Sequence, residues 1–69
     1  MDTRIHDIVV SQTARFTLAG QVVPAVVIRY FVGTHGPFED TYDAADATPV
    51  NIQAGYQKRI DMLTAAGAL

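Results

Sequence analysis

Two histidines, His6 and His35, are the first residues to test for chemistry, because a neutral imidazole binds metals and titrates near neutral pH. His6 stands near the N-terminus and His35 in the tight stretch "GTHG", Gly33 to Gly36. Neither has a His or Cys partner at helical or hairpin spacing, so both read as solvated polar residues. The acids Glu39, Asp40, Asp43 and Asp46 are the densest set of oxygen ligands and suit a hard cation such as calcium in type. No Asp-x-Asp-x-Asp-Gly loop with a distant Glu surrounds them. They are expected instead to solvate an edge strand, discourage stray pairing and favour the positive end of the following helix. Ser11 falls inside a predicted strand without a nucleophile elbow, so no Ser-His-acid triad is built around it. "GTHG" joins two strands and lacks the Lys-Ser/Thr pair of a phosphate-cradling loop. The expectation is a protein that is not an enzyme, with no catalytic residue, no cofactor, no metal and no small-molecule substrate.

The elements that would carry these residues can be read from periodicity. In Ile5 to Leu18, "IHDIVVSQTARFTL", the even positions Ile8, Val10, Ala14, Phe16 and Leu18 are mostly apolar and the odd positions mostly polar. Period two with β-branched and aromatic content predicts a long strand with one buried face, bent or bulged near Gln12, or else a hairpin turning near Ser11. "AGQVVP" holds a glycine and a proline and predicts the loop that closes the first hairpin. "PAVVIRYFVG" is apolar on both faces apart from Arg29, the pattern of a central strand covered above and below. "GTHG" then reads as a hairpin turn into "PFEDTY", where Phe38 and Tyr42 share one side and Glu39, Thr41 and Asp43 the other. Thr48 and Pro49 offer an N-cap followed by proline at the first helical position. Ile52, Tyr56, Ile60 and Leu63 recur at steps of four, four and three, one stripe of a helix that Gly67 ends. Gly55 inside that helix costs about 1 kcal/mol relative to alanine, which points to a close approach to the sheet.

Residues 1–69 therefore form a single α+β domain, a three-stranded antiparallel β-sheet with one C-terminal helix on one face (βββα). At this length a lone core yields about 3–5 kcal/mol, and with no cysteine the chain has no disulfide or thiolate metal site to reinforce it. Charged residues make up 17% of the chain against about 25% in typical soluble domains, and the net charge of -2 argues against nucleic acid as a partner. No segment has the apolar length of a membrane span, and "MDTRIHDIVV" lacks the basic and long apolar regions of a leader.

One helix covers one face of a sheet. The central strand offers Val26, Ile28, Tyr30 and Val32 to one side and Val23, Ala25, Val27 and Phe31 to the other, and Ile5 and Val9 on the first strand are expected to join the second set. That set has no cover within the chain, and such a patch marks an interaction surface. The expected partner interface is Val9, Val23, Val27, Arg29 and Phe31, with Arg29 either snorkelling over Val27 and Phe31 or anchoring an ion pair to a neighbouring subunit. The alternative is a first strand that bends over to close a tiny barrel and hides both faces.

"VVIRYFVGTHGPFEDTY" followed by "YQKRIDMLTAAGAL" resembles the small virion structural proteins of tailed bacteriophages, in which a strand, a Gly-x-x-Gly-Pro-Phe turn, a second strand and a C-terminal helix recur. The likeness covers roughly residues 25 to 69 and carries no catalytic signature. It implies a virion component of the tail, its tip or baseplate, or the neck, assembled in the host bacterial cytoplasm and partnered by other virion proteins or copies of itself. Two readings from other classes stand beside it: a small nucleic-acid-binding βββα module, and a phage-encoded regulatory protein.

Overall fold

The computed structural model describes residues 4–69; Met1 to Thr3, the head of the stretch read above for a leader, lie outside them. Three antiparallel strands, β1 (Ile5–Phe16), β2 (Val22–Val32) and β3 (His35–Asp43), form an open sheet in the order β1-β2-β3. A short 3₁₀ turn, Ala44–Asp46, leads into α1 (Pro49–Ala65). This is the expected βββα fold, with the sheet open at both edges instead of closed into a barrel. β1 runs unbroken through Ser11, so the first hairpin turns at Thr17–Gln21, where the Gly20 amide donates to the Thr17 carbonyl at 2.9 Å.

The helix begins and ends where local chemistry dictates. The Thr48 hydroxyl accepts from the Asn51 amide at 3.3 Å and Pro49 occupies the first helical position. At the other end the Gly67 amide donates to Thr64 O at 3.0 Å and the Ala68 amide to Leu63 O at 2.9 Å. This paired closure needs the left-handed residue that Gly67 provides at φ 73°. The first turn of α1 itself carries no acid.

Ile28, Tyr30 and Val32 from β2, Ile5 from β1, and Tyr56 and Ile60 from α1 make the core, with Val26, Phe38, Tyr42, Ile52 and Leu63 packed around it. The helical stripe is thus the face laid on the sheet. Tyr30 is fully buried, its ring edge-on to Tyr56 at 4.7 Å between centroids. Each of these large side chains contributes about 1.5–3 kcal/mol by leaving water.

Ile5 corrects an expectation. It pairs with Val32 and lies in the core under the helix, not on the uncovered face with Val9. The cause is a β-bulge: between the pairs His6–Phe31 and Val9–Arg29, both Asp7 and Ile8 oppose Tyr30. One extra residue reverses the alternation, so odd-numbered Ile5 points to the helix and odd-numbered Val9 away from it. The bulge sits at Asp7, earlier than the Gln12 position expected, and Asp7 adopts φ 54°, a left-handed conformation that a short acid tolerates. His6 locks it, donating through Nδ1 to Asp7 Oδ2 and through Nε2 to the Gly33 carbonyl, both at 2.7 Å. The Gly33 carbonyl first, and Asp7 second, favour the imidazolium and raise the His6 pKa above its ordinary value.

The strands outrun the helix. Twelve residues of β1 span about 40 Å, whereas the seventeen residues of α1 span about 25 Å. β3 stops at the pair Ala25–Asp43, so β1 and β2 continue alone through Ala14–Pro24 to Phe16–Val22. Pro24 is accommodated there because its β3 side has no strand to bond. The molecule is accordingly elongated, 41 × 20 × 20 Å, with a radius of gyration of 13.4 Å against about 11 Å for a compact chain of this length.

Candidate interaction surfaces

The five residues expected at a partner interface, Val9, Val23, Val27, Arg29 and Phe31, all lie on the sheet face opposite the helix. Val9 is Arg29's register partner, and Val27 and Phe31 flank Arg29 along β2. This face is less oily than its sequence implied, because it is strapped by charge. Arg29 donates through Nε and NH2 to Glu39 Oε1 at 3.0 and 2.6 Å, so its carboxylate comes from the adjacent strand of the same chain. Arg15 reaches from β1 across β2 to Asp43 on β3, with NH2 to Oδ2 at 2.8 Å and Nε to the other oxygen. Hydrogen bonding to Arg15 holds the Asp43 carboxyl below its usual range. Ala25, the register partner of Asp43, is buried on this side. Phe31 is half-buried against the stacked His6 ring, 5.6 Å between centroids, and Val23 and Val27 are also half-buried. Val9 is 55% exposed.

The largest exposed apolar surface is elsewhere. On the helix side of the sheet but uncovered by α1, Val10 is 62%, Phe16 75% and Val22 61% exposed, with Leu18 fully exposed at the tip. These are the even positions of β1 and their partners, whose alternation predicted a buried face. The alternation is correct and the cover is missing: β1 and β2 run on past the helix to Phe16 and Val22, and Val10 lies on the edge strand beside the covered Ile28. Val50, in the first turn of α1, is exposed as well.

The acids do not gather. Glu39 and Asp43 hold the two arginines of the open face, while Asp40 turns the other way and enters a polar network beneath the helix. The Tyr30 hydroxyl donates to Asp40 Oδ2 at 2.7 Å, and Arg59 NH2 donates to Oδ1 at 3.1 Å. Arg59 also lies over the Phe38 ring at 4.6 Å. Asp40 is therefore a structural acceptor instead of a solvating edge charge, and Arg59 is its partner from the helix. The network borders a groove of about 620 Å³ between β3 and α1, lined in part by Asp40, Tyr42, Gly55 and Arg59. No cluster of three or more His, Cys, Asp or Glu able to hold a metal exists among the described residues. His35 donates through Nε2 to the Ala68 carbonyl at 3.0 Å, tying the helix end to the β2–β3 turn.

Burial first, and the Asp40 hydrogen bond second, push the Tyr30 pKa up to about 12; burial also raises Tyr42 and Tyr56. Below pH about 10 the folded and unfolded chains both keep the Tyr30 proton, so its contribution to stability is complete. Between about 10 and about 12 the unfolded chain ionises while the folded one does not, and stability falls as pH rises. Near-ultraviolet titration of the wild type is expected to show tyrosine ionisation delayed and coincident with loss of helicity. Free titration at the ordinary value in a still-folded protein would contradict the buried network.

Comparison with known proteins returns no match: no family model fits the chain, and no curated protein or solved structure is significantly similar to it.

Proposed function

We propose that this chain is a small structural interaction protein of a bacteriophage virion, a component of the tail, its tip or the neck, which binds neighbouring subunits through apolar sheet surface. One observation carries the reading: a domain of 69 residues leaves a row of large apolar side chains, Val10, Phe16, Leu18 and Val22, in water along β1 and the projecting end of the β1–β2 pair. Burying three or four of them contributes about 1.5–3 kcal/mol each, comparable to the whole stability of so small a fold. The virion assignment itself rests on the resemblance of residues 25 to 69. No helix among the described residues is long and apolar enough to cross a membrane.

The nucleic-acid reading has less to stand on, since Arg15 and Arg29, which face out from the open side, each already hold a carboxylate. The test is native mass spectrometry of the purified chain mixed with tail or neck proteins. A stoichiometric complex with a virion protein is expected. Capture of duplex DNA with steep salt dependence, or of a host enzyme in place of virion proteins, would overturn the reading.

A further inference from the structure

We propose that the projecting β1–β2 hairpin docks on a second copy of this chain, the two hairpins packing apolar face to apolar face about a two-fold axis. The inference rests on the assembly role above and names its first partner.

The face in question carries Ala14, Phe16, Val22 and Pro24 on the projecting hairpin and runs back along the edge strand β1 through Gln12 and Val10, with no ionisable group among them. Its reverse carries Thr13, Arg15 and Val23, with Arg15 bound to Asp43. A two-stranded hairpin without a second layer is marginal in water, so the apolar side is where a layer is needed. An acidic or basic partner would meet no complementary charge there. A charge-free strip of equal width and length is what an identical copy presents, and an isologous contact buries each strip against itself without stranding a charge.

The area suffices. With each large side chain offering roughly 150–200 Å² when open, Ile8, Val10, Phe16, Leu18 and Val22 leave on the order of 500–600 Å² in water per molecule. Two copies bring together about 1,000–1,200 Å², the lower bound of specific interfaces before any polar rim is counted. Facing sheets about 10 Å apart let such side chains interdigitate.

The absence of cysteine makes the geometry directly testable. Single-cysteine variants Ala14→Cys and Thr13→Cys place a thiol on the apolar and the polar side of the same strand. With a short bismaleimide, Ala14→Cys is expected to give a covalent dimer and Thr13→Cys none. Equal cross-linking of both would mean edge-to-edge pairing of β1 and would overturn the face-to-face arrangement. In sedimentation equilibrium the wild type is expected to dimerise at micromolar concentration, and Phe16→Asp and Val22→Asp to weaken this by about 100-fold or more. Val9→Asp, on the opposite face, is expected to leave the dimer intact. Circular dichroism of each variant checks that the helix remains. A wild type that stays monomeric to millimolar concentration overturns the inference, and so does a monomer that binds neutral phospholipid vesicles through Phe16 and Leu18. A monomer that still joins tail or neck proteins would sink self-docking and spare the assembly role. A dimer that recruits none of them supports the docking inference while removing the virion reading.

Discussion

Asp40→Ala is expected to be the most damaging single change under the helix, costing about 2–3 kcal/mol and lowering the melting temperature by about 10–20 °C. Tyr30 is fully buried and its hydroxyl has Asp40 Oδ2 as acceptor at 2.7 Å. Deleting the carboxylate leaves that buried hydroxyl without its acceptor. Arg59 loses a partner too, but its head is 27% exposed and can turn to solvent, so the tyrosine dominates the cost. Against a total of about 3–5 kcal/mol, the variant stands at the edge of unfolding at room temperature. Tyr30→Phe, which removes donor instead of acceptor, is expected to cost about 0.5–1.5 kcal/mol. The double variant should lose less than the sum of the two, because the shared hydrogen bond can be lost once. Thermal melts of the four proteins measure this. Stability of Asp40→Ala within about 0.5 kcal/mol of wild type would show that the network does not hold the sheet to the helix.

The second large effect is a reversal of sign at Gly55. In most helices glycine to alanine gains about 1 kcal/mol. Here the new methyl group would overlap the hydroxyl of Tyr42, a side chain packed against the core, while Asp40 Oδ2 at 3.4 Å and Tyr42 Cζ at 3.5 Å are at ordinary contact distance. Overpacking of this kind costs about 1–3 kcal/mol, so Gly55→Ala is expected to destabilise. In a Tyr42→Phe background the hydroxyl is gone, the nearest ring atom is at ordinary contact distance, and the same change should stabilise by up to about 1 kcal/mol. Denaturant titration of the cycle reads both signs. A stabilising Gly55→Ala in the wild-type background would mean that helix and β3 do not approach as closely as the structure has them.

The strands, the two turns and the capped helix were legible because each is written in local chemistry: alternation in Ile8 to Phe16, the Thr48-Pro49 start, the stripe from Ile52 to Leu63. Gly55 was legible as a close approach, though its neighbour Tyr42 was not named by spacing. The bulge at Asp7 was misplaced, and with it the face of Ile5, because one residue in the left-handed region leaves no mark on the hydrophobic pattern until its strand partner is known. Register also decided the arginines. Arg29 lies opposite Glu39, and Arg15 reaches Asp43 across an intervening strand, neither of which a linear reading contains. Asp40 was assigned to solvent with its acidic neighbours although alternation puts it on the side of Phe38 and Tyr42; that the helix covers this side and brings Arg59 to it is a tertiary fact. The exposed hairpin could have been found from lengths alone, since a helix of about 25 Å cannot roof strands of about 40 Å.

The hydrogen bond from the Gly33 amide to Arg4 O at 2.8 Å, and the bond between His35 and Ala68 O, bring both ends of the described chain to the β2–β3 turn. The tip at Leu18 is at the far pole. Anything joined to either end, a reporter, an affinity handle or further polypeptide, therefore emerges some 40 Å of strand away from the hairpin tip. Labels for imaging or purification can be attached there without shielding the oily prong, which gives the molecule a tethered pole and a free one.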